Sequence, residues 1–524
     1  MSLSWIDILV LVVYFALTLG IGAWFSRKNT STEEYFLGGR SFPGWALGLS
    51  LVGTCMSSVT FLSHPADAFK TSLIRLTIAF SFPLVALFGA YVLLPFFRRG
   101  TISSAYEYLA QRFGRSVSCY AACIFFLIQI IRVSTILYLI SLLIHTVTGM
   151  DFVTCLLVAG GVTALYTVSG GFDAVIWTDV MQTLTLISGS FIMIGLIIFK
   201  TDGGFASLIQ AALDHGKLSL VKDISAVTGQ LEPIGGGFSL GEKTFAMLLI
   251  MGVVQFMNSQ FDQTSIQRWC SAKSPKEARK AILVLAFSAV PIWASFMFAG
   301  TMLWAYFYFN PDPAVSEMLS GVRKAEEIVP YFVVHYMPVG LSGLVIAGAL
   351  AAAMSSLSSS INAASMVWVN DIYKPYLVKL QSDKHYLKVG FLASTVVSLL
   401  MLLGAWLFYK ADAKTLNDLG WILSSVCGGG MVGIFFLGVF SRRGDYRAIW
   451  TALLVNALVT SYILLDSRGV VPGPLSLSID LYYAALIGNV LTFIIAWLSS
   501  FVFKSRVEDL TNLTVWDQDG CPLV

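Results

Sequence analysis

The chain has 524 residues, of which 56% are hydrophobic and 12% charged, with a net charge of +3. A soluble domain carries roughly 25% charge. This composition, with a mean hydropathy of +0.77, excludes a soluble globular protein and describes a polytopic membrane protein in one integrated domain. The small net charge gives no reason to expect nucleic acid as a partner. The seven cysteines, at 55, 119, 123, 155, 270, 427 and 521, are odd in number, contain no CxxC and fall mostly in apolar stretches. They read as buried thiols rather than as a disulfide framework or a metal site.

Thirteen candidate spans follow in chain order, at 6–26, 44–63, 75–97, 116–147, 152–170, 174–199, 241–260, 278–308, 336–370, 386–409, 415–441, 446–465 and 477–503. The first lacks a basic leader and a small-residue cleavage site, so it is expected to be a retained helix, not a signal peptide. Several spans exceed 25 residues, which implies tilt or kinks. Segments 200–240 and 309–335 are polar and read as loops. Most of the 33 Lys and Arg residues fall in alternate loops, in clusters such as Arg98, Arg99, Arg112, Arg115 and Arg268, Lys273, Lys276, Arg279, Lys280. That bias places the N-terminus outside and the C-terminus, with a short tail at 504–524, in the cytoplasm.

The second span contains GLSLVGTCMSS, where Gly48 and Gly53 stand beside Thr54, Ser57 and Ser58. The eleventh contains CGGGMVG, from Cys427 to Gly433. Glycine lets a helix unwind, and unwound backbone at membrane depth lines a cavity or an ion site. A packing notch is the alternative. The fourth and sixth spans carry charges, Arg132 in FFLIQIIRVSTILYL and Asp179 in AVIWTDVMQTLTL. Such residues face a bundle interior and mark a pathway, unless the two simply pair with each other. A planar guanidinium suits a carboxylate, and an intramembrane carboxylate calls for a cation. Asp173 and Asp262 read as solvated residues near loops, and His64 as an edge residue.

In the ninth span, AAAMSSLSSSINAA packs Ser355, Ser356, Ser358, Ser359 and Ser360 into six residues. Ala352, Ser355, Ser356 and Ser359 share one helical face. A stripe of small hydroxyl residues serves close helix packing, or it supplies oxygens to a small hard cation.

Six segments together resemble the sodium/solute symporter family. They are EEYFLGGRSFPGWA (33–46), TISSAYEYLAQRF (101–113), YTVSGGFDAVIWTDVMQ (166–182), DQTSIQRWCSAKSPKEA (262–278), AAAMSSLSSSIN (351–362) and DIYKPY (371–376). The resemblance implies an all-α fold: a five-plus-five inverted-repeat core at 44–441 with discontinuous first and sixth core helices. One extra helix precedes the core at 6–26 and two follow it at 446–503. It implies a sodium site of Gly53 and Met56 carbonyls, the Ala352 carbonyl and the Ser355 and Ser356 hydroxyls. A second site in some members is implied at Asp179, Ser355, Ser358 and Ser359. Arg132, with Ser57 and Thr60, resembles the carboxylate receptor of the sialic acid branch. Three positions depart from that branch: Ala79 where it has an amide, Arg75 where it has an aromatic, and Cys55 where it has a hydroxyl.

The resulting expectation is a sodium-coupled symporter in the inner (plasma) membrane. It imports a small organic anion such as a sialic acid, by alternating access, with two sodium ions or at least one. Neutral sugars, polyols and monocarboxylates are the competing substrates. A transporter-fold sensor is disfavoured by the short tail, and an enzyme by the lack of HExxH, GxSxG or paired histidines. At a roughly tenfold sodium gradient and about 100 mV, each ion supplies about 3.7 kcal/mol. One ion then accumulates a monovalent anion about tenfold, and two about several thousandfold.

Overall fold

A computed structural model describes residues 4–99, 104–225, 228–410, 429–467, 469–477, 479, 483–503 and 509–517. The protein is mostly helical. Its principal helices are α1 (Trp5–Ser26), α2 (Gly44–Cys55), α3 (Ser58–Lys70), α4 (Leu76–Arg98), α5 (Arg115–Thr148), α6 (Phe152–Lys200), α7 (Phe245–Gln260), α8 (Gln263–Ser271), α9 (Pro275–Phe309), α10 (Leu341–Val367), α11 (Asp383–Lys410), α12 (Met431–Phe440), α13 (Tyr446–Ser467) and α14 (Ala484–Ser499). Eight helices among the described residues are long and apolar enough to cross a membrane, or nine if the bent pair α2–α3 is one span. The remaining candidate spans include α7, α12 and α14, which are apolar but shorter. Residues 411–428, the first part of the eleventh candidate span with Cys427, lie outside the described residues, as does most of the tail.

The fifth and sixth candidate spans both fall within α6, which is not one rod. A straight helix of 49 residues would be about 74 Å long. Instead Gln182 Nε2 donates to Tyr166 Oη at 3.4 Å, across sixteen residues, a separation that would be about 24 Å along a straight helix. The chain turns back at Gly171, whose φ of 61° and ψ of −154° suit glycine almost alone. A β-carbon there would also lie 2.8 Å from Asn29 Oδ1. The 200–240 loop holds a helix (Gly204–Asp214) and a two-stranded antiparallel hairpin, Lys222–Ile224 with Leu231–Pro233, a small departure from an all-α chain.

The serine-rich helix α10 is the centre of the molecule, buried along its whole serine stretch and packed by α1, α2, α3, α5, α6 and α11. The opposite pattern holds for α1, whose Trp5, Ile8, Leu9, Val12, Val13 and Leu17 are exposed, the mark of a lipid-facing helix. Asp7 ties α1 to the start of α10. Its Oδ1 accepts from Gly340 N, Ser342 Oγ and Gly343 N at 2.7–2.8 Å, a carboxylate placed where a helix N-terminus offers free donors and positive potential.

Candidate functional site

Two breaks in helices shape the centre. Between α2 and α3 the axis bends by 59°. Met56, buried at the break, has φ −95° and ψ 97°. Ending α2 there frees its last carbonyls from helical donors. Ser355 Oγ donates to Gly53 O at 2.8 Å, and Ser356 Oγ to Thr54 O at 3.3 Å. Both hydroxyls also stand 3.4 Å from Ala352 O. Carbonyl and hydroxyl oxygens therefore converge between the broken helix and α10 with no bulky side chain among them, the donor set a hard cation prefers. Of the five residues expected for a sodium site, Gly53, Ala352, Ser355 and Ser356 come together, with Met56 at the break. The Thr54 carbonyl is an addition that the serine stripe alone does not reveal. Gly53 is required by space: a β-carbon would lie 2.4 Å from Thr183 Oγ1 and 3.6 Å from the Ser355 β-carbon.

Next to this cage sits a charged cluster. Asp179, fully buried, accepts at Oδ2 from Arg268 Nη2 at 2.9 Å, from Ser50 Oγ at 2.5 Å and from Ser359 Oγ at 3.3 Å. Arg268, assigned to a cytoplasmic loop by the positive-inside reading, is instead wholly buried on α8. Its charge counts toward the interior, because the chain continues from α7 into the buried α8 after a break at Phe261–Asp262. The cation that answers Asp179 in the structure is thus Arg268, and neither sodium nor Arg132 is needed to explain that oxygen. Of the other expected second-site residues, only Ser359 touches Asp179. Ser355 bonds to Gly53 O and Ser358 to Ser355 O. Asp179 Oδ1 remains buried without a hydrogen-bond partner among the described residues.

Arg132 differs. It lies half-buried in the middle of α5, which packs on α3 and α10, and has no ion pair among the described residues. Cys55 is within electrostatic reach of Arg132, Arg268 and Asp262. Ser57 lies at the α2–α3 break, and Thr60 is buried on α3. Ala79 is buried on α4. Arg75 is over half exposed and pairs with Asp67 at 3.0 Å, so it is held near the C-terminal end of α3 by a partner of its own.

Asp262 is half-buried at the break between α7 and α8. It caps α8, accepting at Oδ1 from Thr264 N at 2.8 Å, and Gln129 Nε2 stands 3.4 Å from its Oδ2. Gln129 precedes Arg132 by one turn of α5. Both Gln129 and Asp262 line a cavity of about 290 Å³ with Tyr106, Phe125, Asn258 and Phe261. A lone glutamine inside an apolar span was the available signal for this wall. Asp173 is buried, beside Gly38, and His64 lies within α3. The described cysteines, 55, 119, 123, 155 and 270, form no disulfide; Cys123 is exposed rather than buried. No group of His, Cys, Asp and Glu suited to a transition metal occurs among the described residues.

The chain is similar to known proteins over nearly its whole length. The sodium/sialic acid symporter SiaT of Proteus mirabilis is 33% identical over 464 residues, covering 87% of this chain and 88% of its own. The sodium/sialic acid symporter NanT of Aliivibrio fischeri is 29% identical, covering 97% and 95%. A solved structure of a substrate-bound, outward-open sodium-coupled sialic acid symporter superposes with a TM-score of 0.84 at 29% identity, covering 96% of this chain and 98% of that one. The model of the sodium:solute symporter family matches residues 35–454. The chain therefore belongs to the sodium:solute symporter family, and it is a membrane transporter, not an enzyme.

Proposed function

We propose that this chain carries a sialic acid, or a related carboxylate-bearing sugar, into the cell together with sodium by alternating access. The observation that carries the reading is Arg132. A guanidinium at membrane depth is costly unless water or an anion meets it, and this one has no ion pair among the described residues. The fork of donors on arginine matches a carboxylate, and Ser57 and Thr60 on the broken helix are assigned to the same receptor. The similarity to two sodium/sialic acid symporters supports the same substrate class.

Sodium, as co-transported substrate, is assigned to the oxygens of Gly53, Met56, Ala352, Ser355 and Ser356. A second ion is assigned to Asp179 with Ser355, Ser358 and Ser359. The architecture in this reading is thirteen spans, a five-plus-five inverted repeat at 44–441, one helix before it and two after. The protein resides in the inner membrane with its N-terminus outside.

The test is uptake into proteoliposomes with and without an inward sodium gradient, over a panel of sialic acid, its methyl ester, glucose and monocarboxylates. Sodium-dependent uptake of sialic acid, blocked by unlabelled acid and not by ester or glucose, is the expected result. Equal competition by ester or glucose would remove Arg132 as a carboxylate receptor and favour a neutral-sugar symporter.

A further inference from the structure

Arg268 is the most heavily engaged charge in the described structure. Its Nε donates to Ser50 Oγ at 2.8 Å and its Nη1 to Thr264 O at 2.9 Å. Its Nη2 reaches Thr54 Oγ1 at 2.8 Å, Asp179 Oδ2 at 2.9 Å and Ser359 Oγ at 2.5 Å. Phe172 lies 5.8 Å from its guanidinium carbon. One side chain thus holds α2, α6, α8 and α10 to a single point.

Two of those acceptors, Asp179 and Ser359, are also ligands assigned above to the second sodium ion. The other carboxylate oxygen, Asp179 Oδ1, is buried and has no hydrogen-bond partner among the described residues. A pocket with one carboxylate and one guanidinium is already neutral. A further cation there meets like charge at close range, where low polarity leaves repulsion poorly screened.

We propose that Arg268 is a built-in competitor for the cation at Asp179. It occupies Asp179 Oδ2 and Ser359 in this conformation and sets the sodium concentration at which the second ion binds. Ser359 Oγ is shared by the guanidinium, the carboxylate and Thr54 Oγ1, so it must leave Arg268 to serve an ion. The inference rests on the second-ion reading given above.

The experiment is a sodium titration of purified protein in detergent, at constant ionic strength with choline, followed by the shift in thermal unfolding. A ligand that binds only the folded state raises stability by RT ln(1 + L/Kd) at free ligand concentration L, so each ion adds a phase that begins near its own dissociation constant. Replacing the charge while keeping hydrogen-bonding capacity, Arg268→Gln, is expected to lower the half-saturating sodium of the Asp179-dependent phase about tenfold, equivalent to about 1.4 kcal/mol. Lysine keeps the charge but not the fork, so Arg268→Lys is expected to lower it about threefold. It carries the test should Arg268→Gln fail to fold. The double variant Arg268→Gln with Asp179→Asn is expected to lose that phase.

An unchanged or raised half-saturating sodium in the folded Arg268 variants, with the phase still removed by Asp179→Asn, overturns the competition while the second-ion reading stands. If Asp179→Asn leaves the wild-type titration intact, both the second-ion reading and the competition fall.

Discussion

Two arginines inside the membrane region of this protein have opposite surroundings. Arg268 is fully buried, and five oxygens from Ser50, Thr54, Asp179, Thr264 and Ser359 meet its donors. Arg132 is half-buried and has no ion pair among the described residues. A guanidinium has five donors in fixed directions. Arg268 spends them on the protein and cannot receive a substrate without dismantling four helices' contacts. Arg132 has no ion pair among the described residues to occupy its own donors. Burial depth and partner count thus point to different uses of the two charges.

The largest test of that contrast is stability. Arg268→Ala leaves Asp179 charged and buried with only hydroxyls, a loss expected to cost about 3–5 kcal/mol. Size-exclusion profiles and thermal melts should show a strongly destabilised protein, whereas Arg132→Ala should melt within about 0.5 kcal/mol of wild type. Replacing both members of the pair with apolar residues, Arg268→Met with Asp179→Leu, should recover much of the stability. Similar melts for Arg268→Ala and Arg132→Ala would erase the distinction.

Binding provides the converse. Arg132→Lys keeps the charge but loses the fork, and sialic acid affinity should fall roughly thirty- to a hundredfold, about 2–3 kcal/mol. Isothermal titration at saturating sodium measures it. A variant that binds acid as wild type does would show that Arg132 is a structural charge as well.

A smaller effect is expected where the neutral cage meets the charged cluster. Ser356→Ala removes one hydroxyl of the cage, at a cost of about 1 kcal/mol. The sodium concentration for half-maximal uptake should rise about fivefold, with the melt nearly unchanged. If sodium dependence stays as in wild type, the hydroxyl stripe serves packing alone.

The weakest expected signal lies outside the membrane-spanning helices, at the buried Lys217. Lys217 Nζ donates to Phe69 O and Lys70 O at 2.9 and 3.1 Å, closing the C-terminal end of α3. Burial pushes its ammonium down to about 7, against about 10.4 for an ordinary lysine. Between pH 7 and 10 the unfolded chain then binds more protons than the folded one, so stability rises with pH across that window. The melting temperature should climb from pH 7 to pH 9, and the climb should shrink in Lys217→Met. An equal climb in both proteins would assign it to other groups.

Much of the centre was legible in the chain because its signals are local. The serine spacing that puts Ala352, Ser355 and Ser356 on one face follows from helical geometry. The glycines and small residues around Gly53 announce a helix that can break. A charge such as Arg132 is conspicuous in an apolar run because the bilayer penalises it. The turn that divides two spans also left a trace, since Gly170 and Gly171 separate them and only glycine holds the backbone found there.

Arg268 shows where such reading ends. Its neighbours in sequence, DQTSIQRWCSAKSPKEA, are polar and resemble a cytoplasmic loop. Only the fold brings it to Asp179, 89 positions earlier in the chain, and only that meeting decides that the carboxylate already has a cation. Asp173, read as solvated near a loop, is likewise buried only by the fold, beside Gly38. Periodicity and membrane cost act along the chain and are fixed by residue order. Which charge answers which is settled across helices, by packing that no single segment encodes.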